Sequence, residues 1–142
     1  MATHEERREQ ETRLIILGRP NVGKSSLLNR MLNEDRVVVS PEPHTTRDPQ
    51  DAVYTFEGRT YRIIDTAGIR RQANLSKQLR KENSAKIEQR GVHLAVRHLE
   101  HADIALIVLD LRQPITAQDR FLVRKALDAR ASIVLVGNKW DL

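Results

Sequence analysis

The chain contains no cysteine. That absence excludes disulfides and cysteine-ligated metal sites, and it fits a reducing compartment. Long apolar runs are missing too. The longest strand-like one, "IALIVLDL" from Ile104 to Leu111, is far short of the roughly 18 residues that a membrane helix needs. The opening residues, "MATHEERREQETR", hold too much acid for an organelle transit peptide and no apolar stretch for a secretory signal, so a cytoplasmic location is expected. There is no internal repeat and no low-complexity tract. What is left is one globular domain, since 142 residues are enough for a single core and too few for two ordinary ones. The formal net charge of +5 suits a polyanionic partner such as RNA, although a nucleotide-binding domain also tolerates that balance.

Apolar patterning sets out the elements. Residues 1–12 read as a charged leader, and "RLIILG" from Arg13 reads as a buried strand ending at Gly18. After "GRPNVGKSS" comes a helix, with Leu27, Leu28 and Met31 at helical spacing. Pro41, Pro43 and Pro49 exclude regular helix in the stretch after Val39, which is expected to be a long exposed loop. Two strand patterns flank Glu57-Gly58, a hairpin turn, and the second of them ends at Asp65. The segment from Arg70 to Arg90 is polar and basic, either a loop or a solvated helix. Val92, Ala95, Val96 and Leu99 then mark an amphipathic helix, "IALIVLD" a strand, and Thr116 to Arg130 a helix that Thr116 caps. "SIVLVGNKWD" closes the chain as a strand running into a loop. Strands alternating with helices predict an α/β sheet, mostly parallel, with one antiparallel edge hairpin.

Three motifs carry chemistry. "GRPNVGKS", Gly18 to Ser25, matches G-x-x-x-x-G-K-[ST] between a strand and a helix, the context in which that pattern means phosphate binding. Gly18 and Gly23 let the backbone curl, so that N–H groups from Val22 through Ser26 can face phosphate oxygens. Lys24 supplies charge, the Ser25 hydroxyl can hold Mg²⁺, and the helix N-terminus adds its positive end. "DTAG", Asp65 to Gly68, stands at a strand tip, where Asp65 can hold Mg²⁺ through water and Gly68 can offer its N–H to a terminal phosphate. "NKWD", Asn138 to Asp141, follows the last strand. The Asp141 carboxylate can accept from guanine N1–H and the N2 amino group, whereas adenine would leave it facing an unpaired acceptor. Asn138 is then a polar contact to the base or the phosphate loop, and Lys139 an aliphatic stem over the ring.

Taken together, "GRPNVGKSSLLNR", "TTRD", "DTAGIRR", "QPITAQD" and "NKWDL" resemble the second G domain of the Der (EngA) family of ribosome-assembly GTPases, in the translation-factor-related branch of P-loop GTPases. The resemblance covers nearly the whole chain from Arg13, and the MnmE and Era families share parts of the pattern. It implies a P-loop G domain that binds GTP and GDP with Mg²⁺, hydrolyses GTP, and acts on ribosomal RNA or the large ribosomal subunit. One of Thr45 and Thr46 is implied as a switch hydroxyl closing on Mg²⁺, Thr46 by alignment. His44 stands where that family usually has Gly.

Ile69 stands where Ras-like GTPases place a Gln that orients the attacking water, and isoleucine has no hydrogen-bonding atom. The resemblance implies that potassium assists instead, held in part by Asn21 in the phosphate loop. His93, His98 and His101 lack a convincing ligand set for a metal. Family G domains continue past "NKWDL" with a further strand and helix. The resemblance therefore implies a C-terminally truncated domain over residues 13–142, with an open edge at the last strand. Two other readings remain at this stage, a tRNA-modification GTPase like MnmE and a non-hydrolysing, nucleotide-dependent RNA-binding module.

Overall fold

The computed structural model describes residues 3, 5–6, 10–34, 38–39, 51–78 and 92–142. Its centre is strand β1, Thr12–Gly18, where the run Leu14, Ile15, Ile16, Leu17 is buried on both faces. Alternation along a strand sends Ile15 and Leu17 to one face and Leu14 and Ile16 to the other, and two separate cores grow from these faces. Burying each such side chain contributes about 1.5–3 kcal/mol, so this one strand anchors both layers of helices.

Around it the strands run β2 (Val38–Val39), β3 (Ala52–Phe56), β4 (Arg59–Ile64), β5 (Ile104–Asp110) and β6 (Ser132–Asn138), in the spatial order β2-β3-β4-β1-β5-β6. β4, β1, β5 and β6 are parallel. β3 runs antiparallel to both β2 and β4, so the expected edge hairpin is present. Its turn is Glu57-Gly58, and both residues have positive φ, 48° and 75°. That is the backbone of a two-residue turn matched to strand twist. Tyr54 and Tyr61 stack across the hairpin, with ring centroids 5.3 Å apart.

Helix α1 (Lys24–Leu32) and helix α2 (Thr66–Gln78) cover the face of Leu14 and Ile16 through Leu28 and Ile69. Helix α3 (92–97), a 3-10 turn at Leu99–His101, and helix α4 (Ala117–Asp128) cover the other face through Val92, Leu99, Leu122 and Ala126. The basic segment expected as loop or solvated helix is helical as far as Gln78, with Arg70 and Arg71 exposed. Residues 79–91, which hold the rest of that segment, and the proline-rich stretch 40–50 lie outside the described residues.

Thr116 caps α4 as its sequence predicts. Its hydroxyl accepts from Asp119 N–H while the Asp119 carboxylate accepts from Thr116 N–H, a reciprocal capping box. At the other end Arg130 takes a left-handed φ of 58°. There the N–H of Ala131 bonds the Ala126 carbonyl and that of Arg130 the Leu127 carbonyl, a Schellman termination.

Candidate functional site

Parallel strands bring their C-terminal ends to one edge of the sheet, and crevices outside those ends are where open α/β sheets bind ligands. All three motifs emerge there, after β1, β4 and β6. Each contains one non-glycine residue in left-handed backbone: Asn21 (φ 62°), Asp65 (φ 57°) and Lys139 (φ 60°). Such conformations cost free energy and gather at ligand sites.

The phosphate loop leaves β1 at Gly18 and enters α1 at Lys24. Lys24 Nζ curls back to donate to the carbonyls of Gly18 (2.6 Å) and Arg19 (3.0 Å), so its ammonium lies within the loop's curve. Helix α1 starts without a side-chain cap and without an acidic residue in its first turn. Its first amides and macrodipole therefore meet no protein carboxylate of their own helix, which fits an anion. Ser25 and Ser26 occupy this first turn, and Val22 is buried beneath it. Gly23 has φ 104°, and a Cβ there would lie 2.1 Å from Asn138 Nδ2, so both the turn and the close approach require glycine.

Gly18 and Lys24 line a small pocket together with Asp65, Gly68 and Gln72, and core side chains such as Ile16, Ile69 and Leu122 complete its walls. Asp65 sits where β4 ends and α2 begins. Its own N–H donates to Asp51 Oδ1 (2.9 Å), and its carboxylate accepts from Gly68 N–H (3.3 Å) as an N-cap would. Gly68 N–H also bonds the Asp65 carbonyl at 3.1 Å, so in this structure it serves the turn. Presenting it to a phosphate requires that turn to open. Around the Asp65 carboxylate stand Arg71 at 3.9 Å and His98 Nε2 at 3.8 Å. Ile69 is buried in the core with Leu28 and Ile63 and also lines the pocket beside Lys24 and Asp65, where its side chain offers no hydrogen-bonding atom.

The run after β6 is tied to the phosphate loop. Asn138 Nδ2 donates to the Val22 carbonyl (2.8 Å), and Lys139 Nζ donates to the Asn21 carbonyl and to Asp110 Oδ2 (3.3 Å). Of the two roles open to Asn138, the structure contains the contact to the loop. Asp141 is exposed beside Trp140, which is 79% exposed. Thr45, Thr46 and His44 lie outside the described residues.

Three carboxylates were not singled out from the sequence, and each supports a motif. Asp110, at the tip of β5, is buried and holds Lys139. The two N–H groups it receives from the Arg112 side chain, the Arg112 backbone N–H and Lys139 keep its carboxyl well below the usual carboxylate range, against the opposing effect of burial. Asp51 supports Asp65 and pairs with Arg62 at 3.8 Å. Asp119 is 2% exposed and pairs with Arg19 of the phosphate loop. A charge closing an apolar run, as Asp110 closes β5, and an Asp three residues after Thr116 were signals within the sequence itself.

Among the described residues there is no cluster of three metal-ligating side chains, and no helix is long and apolar enough to cross a membrane. The model of the family described as 50S ribosome-binding GTPase matches residues 13–139. The chain is similar to GTPase Der of Chloroflexus aggregans, 43% identical over 139 residues that cover 98% of this chain and 29% of that protein. GTPase Der of Desulforudis audaxviator is 44% identical over 138 residues, covering 97% and 30%. The chain thus spans about 30% of the length of these relatives. Among solved structures it resembles Aquifex aeolicus Era bound to GDP and AlF4⁻, with a TM-score of 0.60, 27% identity, and 93% and 42% of the two chains covered. The G domain of the T. maritima iron transporter FeoB gives a TM-score of 0.55 at 25% identity, covering 92% and 74%. Era in complex with MgGDPNP and a segment of 16S ribosomal RNA gives a TM-score of 0.60 at 27% identity, covering 93% and 41%.

Proposed function

The chain belongs to the 50S ribosome-binding GTPase family, and from that premise we propose that it is a Der-type G domain that binds guanine nucleotide, hydrolyses GTP and serves ribosome assembly. The observation that carries this reading is the meeting of three motifs at one sheet edge, with Asn138 and Lys139 hydrogen-bonded to the loop that holds Lys24.

In this proposal Gly18, Val22, Gly23 and Ser26 offer backbone N–H groups to the phosphates, and Lys24 offsets their charge. Ser25, Thr46 and Asp65 are the oxygen donors for Mg²⁺, which when bound supplies positive charge against the phosphate oxygens. Hard oxygen donors of this kind suit that ion. Gly68 contributes its N–H once the turn at Asp65 opens. Asp141 reads guanine, with Lys139 along the ring and Asn138 fixing the loop behind it. The absence of a hydrogen-bonding atom at Ile69 supports potassium as the hydrolytic assistant, with Asn21 among its ligands. The 50S family description and the RNA in the related Era complex support ribosomal RNA as the partner, and exposed Arg70 and Arg71 on α2 are cations suited to it.

Calorimetric titration with GDP and GTP, followed by a single-turnover phosphate-release assay, tests the activity. Binding and release are expected in the wild type, with both lost in Lys24→Ala. Nucleotide binding without phosphate release would replace the enzyme with a nucleotide-dependent binding module.

A further inference from the structure

The second residue of the phosphate loop reaches away from the site. Arg19 Nε donates to Asp119 Oδ1 at 2.9 Å, and Arg19 Nη1 donates to Gln113 Oε1 at 3.1 Å. Side-chain exposure is 15% for Arg19 and 2% for Asp119, so the pair is largely shielded from water. In such surroundings a charge pair is weakly screened, and loss of one partner leaves the other charge buried and unmatched.

Asp119 divides its two oxygens between two tasks. Oδ2 accepts from Thr116 N–H (2.8 Å) and from the Thr116 hydroxyl (3.1 Å), closing the start of α4, while Oδ1 is given to Arg19. The helix cap is complete on Oδ2, so the bond from Oδ1 serves the loop. On the loop side, the Arg19 carbonyl accepts from Lys24 Nζ (3.0 Å), and Pro20 follows with its fixed φ. A continuous series of polar contacts therefore runs from the first turn of α4 through Asp119 and Arg19 to the ammonium of Lys24.

We propose that Arg19 and Asp119 are positioning residues for the phosphate site: the buried carboxylate at the start of α4 fixes the outer arm of the loop and, through the Arg19 carbonyl, the place of Lys24. This inference rests on the reading of Lys24 as the phosphate-binding cation. It adds α4 to the elements that set nucleotide affinity, although α4 carries none of the three motifs. An arginine is required because a planar fork can hold Asp119 and Gln113 together, which a lysine ammonium does less well.

The test uses the full 142-residue chain with fluorescently labelled GDP as probe, and thermal melting without nucleotide as the second readout. Asp119→Asn and Arg19→Gln are each expected to weaken GDP binding about tenfold, with the double variant no worse than either single one. Arg19→Lys is expected to recover part of the loss. Thr116→Ala weakens the cap of α4 without touching Arg19, and should lower the melting temperature while leaving GDP affinity within about twofold. Equal affinity losses in Thr116→Ala and Asp119→Asn would reduce the pair to a structural role and overturn the proposal. So would unchanged affinity in Asp119→Asn alongside weakened binding in Lys24→Ala. Unchanged binding in Lys24→Ala would instead overturn the phosphate reading, and this inference with it.

Discussion

Asn138 Nδ2 donates to the carbonyl of Val22 at 2.8 Å, joining the loop after the last strand to the loop after the first across 116 residues of sequence. The same nitrogen stands 2.1 Å from where a Cβ on Gly23 would be. One amide thus fixes the loop's position and forbids a side chain at its tightest point.

Asn138→Ala leaves the carbonyl of buried Val22 without its donor, which costs about 1–3 kcal/mol. Gly23→Ala should destabilise more, because the left-handed φ of 104° adds strain to the clash. Chemical denaturation of both variants measures the order, and equal midpoints would contradict it.

The proposed role of potassium, with Asn21 among its ligands, is open to a salt comparison. GTP turnover is expected to be faster in KCl than in NaCl at equal ionic strength, and Asn21→Ala should lose that difference while still binding GDP. Identical rates in the two salts would remove potassium from the mechanism.

The pH dependence of stability should contain a contribution from Asp110. Its carboxyl is held below the ordinary range when folded, so its stabilising effect is full above the unfolded value of 3.8 and declines as pH falls below it. Melting curves of wild type and Asp110→Asn should therefore differ by a constant amount from about pH 5 to 7 and begin to approach one another only below about pH 4. A difference that grows on acidification would contradict the assignment.

Arg130 occupies the left-handed position that ends α4, where glycine is favoured. Arg130→Gly is expected to raise stability by about 1 kcal/mol, a rise of about 3 °C in melting temperature for a domain of this size. A lowered melting temperature would show that the Arg130 side chain contributes more than its backbone costs.

The sequence disclosed the sheet because β1 and β5 are apolar runs bounded by Gly18 and Asp110, and because Glu57-Gly58 names its own turn. It disclosed the motif residues because phosphate loops require particular side chains at particular spacings. Their supports were harder to find. Asp51, Asp110 and Asp119 act through partners 14, 29 and 100 residues away, Asp65, Lys139 and Arg19. The pairings of Asp110 and Asp119 are encoded by no periodicity or spacing, since they arise only when parallel strands bring distant ends together, whereas Asp51 meets Asp65 across the antiparallel β3–β4 hairpin. The extent of α2 was ambiguous for another reason: its exposed face from Arg70 onward is polar, and among the side chains described in this helix Ile69 is the apolar one that joins the core.

The register of β1 gives its amides very different lifetimes against solvent deuterium. Leu14 and Ile15 are laddered to β4 on one side and β5 on the other, whereas pairing with β5 ends at Gly18. Exchange at Leu14 and Ile15 needs the sheet to come apart, while four to six residues later, in the loop, a local fluctuation is enough. A steep gradient of protection is therefore expected across Gly18 in a hydrogen-exchange measurement, with the strand closed while the unladdered amides of the loop exchange.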